Sequence, residues 1–156
     1  MTYTVERITN IDVKMERDMR RLMAILDDPE MSIDAWIDIF KRYTMRVSLV
    51  GAFDEWGNLH GFIYGRSPNP TYPNRGMMPI TVMDPCVPRI TSKQVFDAVL
   101  AWLEKHGAKY VWGWTKRSPR VLKRLYGYEV VAERQIIVPL AGHDEHTNVE
   151  RMTANV

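Results

Sequence analysis

Between Pro79 and Gly107 the chain sets an apolar strand, a turn-rich loop and an amphipathic helix in direct succession. Ile80 and Val82 mark the strand, and Asp84-Pro85-Cys86-Val87-Pro88-Arg89 carries the loop. Thr91-Ser92-Lys93-Gln94 fits a capping box, with the Thr91 hydroxyl accepting from a backbone N–H and Gln94 reaching back to the cap. Val95, Phe96, Val99, Leu100, Trp102 and Leu103 then fall on one apolar face, and Gly107 stops the helix. A strand that hands over to a helix N-terminus aims unpaired N–H groups and the positive end of the helix dipole at one place. That is the makings of an anion site, most often for phosphate. An ordinary strand–helix crossover with nothing bound satisfies the same pattern.

A length of 156 residues supports one domain with a real core, and 46% apolar with 26% charged residues marks the chain as globular. The domain is expected over residues 1–140, with a polar tail at 141–156. A net charge of +2 does not point to nucleic acid. The single cysteine, Cys86, excludes an internal disulfide framework and a Cys-based zinc cluster, and fits a reducing compartment. No apolar run approaches the length of a bilayer span, and Met1 to Glu6 has no signal-peptide character, so a soluble, cytoplasmic protein without a membrane partner is expected.

Thr2 to Ile8 reads as a short first strand. Thr9 and Asn10 are N-cap residues for a helix in which Ile11, Met15, Met19, Leu22 and Leu26 recur at helical spacing, ended by Asp27-Asp28-Pro29. Ser32 caps a second helix with Ile33, Trp36, Ile37 and Phe40 on one face. A hairpin follows, Met45–Phe53 and Leu59–Gly65 around Asp54-Glu55-Trp56-Gly57-Asn58. His60, at the start of its second strand, reads as a surface or hydrogen-bonded residue. Ser67–Gly76, rich in proline and asparagine, is a loop long enough for a substrate lid or a partner contact. Lys109–Trp114 is an aromatic strand, Ser118-Pro119 opens a short helix ended by Gly127, and Tyr128–Val138 is the last strand.

This order, with Val82-Met83-Asp84-Pro85 and Leu125-Tyr126-Gly127-Tyr128, resembles the GNAT-type N-acetyltransferase superfamily over roughly residues 2–138. The resemblance implies a mixed α+β fold in the α/β class: a mostly antiparallel central sheet of six to seven strands flanked by about four helices. It implies that the fourth and fifth strands splay apart, with the pantetheine arm of acetyl-CoA between them and its pyrophosphate on the following helix. The cofactor contacts then fall on Val82, on Arg89, Ile90, Thr91, Ser92 and Lys93, and on Lys116 near the ribose phosphate.

The family's phosphate loop carries two glycines, and aligning Arg89 with its first position puts Ser92 and Gln94 in their places. Glycine there lets amides close on phosphate oxygens without an intervening Cβ. The family's acid tyrosine aligns with Lys123, while Tyr126 lies about 300° further round the helix. No glutamate stands on the two central strands. Asp84 is therefore the candidate proton acceptor for the amine and Tyr126 the candidate proton donor to the thiolate. Asp84-Pro85 is equally a turn starter, and Tyr126 equally a core aromatic. Cys86 lacks an assigned histidine partner and reads as a small buried hydrophobe. His143 and His146, three apart in the tail, are assigned no metal.

Two functions follow from the resemblance. One is an acyl-CoA-dependent N-acyltransferase acting on an amine of a small molecule or protein by direct transfer. The other is a catalytically degenerate protein of this fold, working as a structural or interaction component with a protein partner or as a homo-oligomer. Motif-poor proteins of this fold occur among tailed-phage and internal virion proteins, and Tyr110–Val130 is similar in style to those, which gives a virion location as the alternative to the cytoplasm.

Overall fold

Val47–Asp54 carries apolar or small residues on both of its faces, a pattern that fits a strand covered from two sides. The computed structural model, which describes residues 1–42 and 44–113 together with Arg120, Lys123 and Arg124, places this strand second in a five-stranded sheet. The described elements run β1 (Tyr3–Arg7), α1 (Val13–Ile25), α2 (Ile33–Lys41), β2 (Val47–Asp54), β3 (Leu59–Arg66), β4 (Arg75–Met83), α3 (Arg89–Lys105) and β5 (Tyr110–Gly113). Sheet order equals chain order, antiparallel from β1 through β4, with β5 added parallel to β4 after the α3 crossover. The chain divides into two compact units, residues 1–115 and 116–156, and all these elements lie in the first.

The mixed, mostly antiparallel sheet agrees with expectation, with a difference in count. The described residues hold five strands and three helices rather than six to seven and about four. The expected strand Tyr128–Val138, most of the helix opened by Ser118-Pro119, and the tail from Ala141 lie outside the described residues.

Each face of the sheet has its own core. Met19, Leu22 and Met23 of α1 and Ile37 and Phe40 of α2 bury against Leu49, Phe62, Tyr64, Ile80 and Val82. Phe40 packs edge-on to Phe62 with ring centroids 5.6 Å apart. On the other face, Val95, Val99 and Leu103 of α3 meet Val50, Ala52, Ile63 and Met78.

Local chemistry sets the helix ends, and they agree only in part with expectation. Asp12, not Thr9 or Asn10, caps α1, its Oδ1 accepting the Met15 N–H at 2.7 Å. Ser32 caps α2 as expected, accepting from Ala35 N–H at 3.2 Å. The expected capping box of α3 does not form. The helix begins at Arg89 with Pro88 in the cap position, and Thr91 is buried inside its first turn. Gly107, at φ +94°, ends it in a conformation that costs glycine little.

The loop after β3 is built on Asn69, whose Oδ1 accepts from the amides of Thr71 and Tyr72 at 3.0 and 2.9 Å. It closes at Arg75, whose guanidinium lies 4.5 Å from the Tyr72 ring and 5.7 Å from that of Trp112 on β5.

Candidate functional site

The site is assembled where β4 ends and α3 begins. Asp84-Pro85-Cys86-Val87 is a β-turn closed by a hydrogen bond from Val87 N–H to the Asp84 carbonyl at 3.0 Å. Asp84 N–H in turn donates to the His60 carbonyl at 2.7 Å, tying the turn to the start of β3. Within α3 the Ser92 N–H donates to the Pro88 carbonyl at 3.0 Å. The amides of Arg89, Ile90 and Thr91 come ahead of it and have no intrahelical acceptor. No side chain caps this end and no acidic residue stands in the first turn, so the positive end of the dipole is not neutralised from within the helix.

Of the residues expected to meet a cofactor, Val82 is buried on β4, Arg89 and Ile90 are exposed, and Thr91 is buried. The Ser92 amide is already bonded, and the Lys93 ammonium is paired with Asp97 one turn on. Ser92 and Gln94 stand within the helix, behind the three amides without intrahelical acceptors, so their side chains do not separate those amides. Lys116 and Tyr126 lie outside the described residues.

On the neighbouring edge, β4 pairs with β5 through Arg75↔Tyr110, Gly76↔Val111, Met77↔Trp112 and Met78↔Gly113. Pro79 follows immediately and has no N–H to give a ladder. From Pro79 to Met83 no described residue pairs with β4 on that side.

Asp84 sits in a polar cluster that one residue type alone did not reveal. Arg21 of α1 donates to its Oδ1 at 3.2 Å and its Oδ2 at 2.9 Å, and also to the Leu59 carbonyl at 3.0 Å. His60 Nδ1 lies 3.1 Å from Asp84 Oδ2, and its Nε2 lies 3.0 Å from Asp54 Oδ2. Cys86 corrects the expectation for it. It is exposed, not buried, and its Sγ stands 3.9 Å from His60 Nδ1 and 3.7 Å from the Tyr3 hydroxyl. The hydrogen bond to Cys86, with burial and the nearby Asp54 and Asp84 charges, raises the Tyr3 phenol above its ordinary value.

Asp54 anchors the cluster. Burial pushes its carboxyl up, but hydrogen bonds from the Asn58 backbone and side chain, from His60 and from the Trp56 amide outweigh burial and hold it well below the usual carboxylate range. His60, expected to be a lone polar residue, is the link that sequence reasoning missed. Two of its partners, Asp84 and Cys86, lie 24 and 26 residues away, and only the Gly61↔Met83 register brings them to it. Gly61 makes that approach possible, since a Cβ there would run into the Met83 sulfur and sit 3.0 Å from Met83 Cα and the Val82 carbonyl oxygen.

No family sequence model matches the chain, and no curated protein matches it by sequence. Solved structures do match. Ribosomal-protein-alanine N-acetyltransferase from Brucella melitensis biovar Abortus superposes with a TM-score of 0.60 at 16% identity, covering 90% of this chain and 100% of the other. Glucosamine-6-phosphate N-acetyltransferase from Arabidopsis thaliana gives 0.62 at 12% identity over 92% and 100%. AAC(6')-Iy, solved with a CoA bisubstrate analogue, gives 0.61 at 13% identity over 92% and 100%. At these identities the likeness is one of fold alone, and it is the fold that the GNAT-type resemblance implies.

Proposed function

We propose that this chain is an acyl-CoA-dependent N-acyltransferase that uses acetyl-CoA and acylates an amine by direct transfer. The observation that carries the reading is the start of α3, where the Arg89, Ile90 and Thr91 amides stand without side-chain cap or intrahelical acceptor at the carboxyl end of β4. A diphosphate is the natural partner of such a group, and Arg89 adds an exposed cation beside it. The edge of β4 from Pro79 onward supplies backbone carbonyls and amides along which an extended pantetheine arm can lie. Lys116 is proposed to meet the ribose phosphate.

In transfer, the amine must arrive neutral and the sulfur must leave protonated. Asp84 is proposed to receive the amine's proton through a water, with His60 dispersing the charge, and Tyr126 to protonate the thiolate. The fold's relatives are named for acceptors ranging from a glucosamine phosphate to a ribosomal-protein alanine, and an amine is the class they share. The acceptor here is proposed to be an amine of that breadth, small or protein-borne.

Calorimetric titration of the chain with acetyl-CoA and with CoA tests the reading. Saturable heat with a matching rise in melting temperature is expected; neither effect at millimolar ligand removes it.

One observation favours the second reading, a catalytically degenerate member serving as an interaction component. Both Asp84 oxygens are already engaged, by Arg21 and His60. If acetyl-CoA binds but no amine in a broad panel releases CoA thiol, this second reading replaces the first.

A further inference from the structure

We propose that His60 Nδ1, the Asp84 carboxylate and the Cys86 thiolate form a site for one divalent transition-metal ion of the zinc type. The three ligand atoms lie within 4.8 Å of one another. Tetrahedral zinc with ordinary bond lengths needs an N···O edge of about 3.4 Å and an N···S edge of about 3.6 Å. The structure has His60 Nδ1 3.1 Å from Asp84 Oδ2 and 3.9 Å from Cys86 Sγ, so the two histidine edges need a shift of only a few tenths of an ångström, while the Asp84–Cys86 edge, within 4.8 Å, closes by a movement of Cys86. Cys86 is exposed at the tip of its turn, free to make that shift.

The surroundings are arranged as a metal-bound histidine requires. Asp54 is buried, ionised and already accepting from Trp56 and Asn58, so it can only accept from His60 Nε2. That fixes the hydrogen on Nε2 and turns Nδ1 toward Asp84 and Cys86, the carboxylate–histidine pairing that orients ligands and raises their basicity. Arg21 donates to both Asp84 oxygens, at 2.9 Å to Oδ2 and 3.2 Å to Oδ1, and so fixes the carboxylate with Oδ2 also facing the histidine. Tyr3 stands edge-on to the His60 ring, with its hydroxyl 3.7 Å from Cys86 Sγ. Mixed N, O and S donors select zinc or cobalt over magnesium and calcium, which take oxygen alone.

Ligands to such an ion bind it deprotonated, so binding is accompanied by proton release. A bound ion also takes Asp84 out of acid–base work. The binding test uses no acyl-CoA, and its outcome is separable from the acyltransferase reading.

The full chain, freed of metal by a chelator, is titrated with zinc in two buffers of different ionisation enthalpy, and with cobalt followed by absorption. One ion per chain, release of protons on binding, and a cobalt spectrum with a thiolate charge-transfer band and tetrahedral d–d bands are expected. Cys86→Ser, a change at an exposed position, should abolish the charge-transfer band and weaken zinc at least tenfold. Asp54→Asn should weaken zinc about 10- to 100-fold while keeping the band, as a residue acting through His60 does. Circular dichroism confirms that each variant is folded. Zinc binding unchanged in both Cys86→Ser and His60→Ala, or lost only when His143 and His146 are replaced, overturns the proposal.

Discussion

Asp54 shows how much one buried carboxylate can organise. Its folded carboxyl titrates below the ordinary range, so it binds fewer protons in the folded chain than in the unfolded one at mildly acid pH. Its stabilisation is therefore complete above the unfolded value, near pH 4, and disappears as pH falls toward the folded one. The melting-temperature gap between wild type and Asp54→Asn should be full at pH 7 and should shrink steadily on acidification below about pH 4. A gap that stays constant down to pH 3 contradicts this account of the turn. Gly61 is the second sensitive residue. Gly61→Ala forces a methyl against the backbone of β4 and should cost about 1–3 kcal/mol in urea denaturation. None of this was legible in sequence, where His60 reads as isolated and Cys86 as buried, because pairing between β3 and β4 creates the cluster and no local spacing encodes it.

At the scale of elements, the apolar period was a sound guide and the caps were not. Val95, Val99 and Leu103 fall at helical spacing, and the structure buries all three against the sheet. Leu103 is fully buried, so Leu103→Ala should destabilise by about 2–5 kcal/mol, read from the same denaturation curves. Thr91 and Gln94 have the identities of a capping box, yet Pro88 starts the helix earlier: its ring fixes φ near the helical value and needs no donor, and Thr91 gains burial in place of a cap. The α1 cap likewise falls at Asp12, two residues past Asn10. Asp12→Ala should thus cost about 1 kcal/mol, whereas Gln94→Ala, at an exposed position with no cap to make, should stay within about 0.5 kcal/mol. Equal losses at the two positions would restore the capping box.

For the molecule as a whole, a mixed, mostly antiparallel sheet flanked by helices was legible through the resemblance that the element order carries, and the structure puts helices on both faces. The proposed acyl carrier has a global signature too: a ligand that binds only the folded chain adds about 2.7 kcal/mol at a hundred times its dissociation constant. Acetyl-CoA should raise the unfolding midpoint with that logarithmic dependence, and a midpoint independent of ligand concentration rules the carrier out. Among the described strands, the one parallel contact, β4 with β5, is reached only through α3. Hairpins close locally and early, while a crossover must first recover the entropy of a long chain excursion. The three amides at the head of α3 thus belong to a crossover and not to a hairpin. A chain in which only the β3–β4 hairpin had closed would already hold His60 beside Asp84, while lacking the seat proposed for a diphosphate.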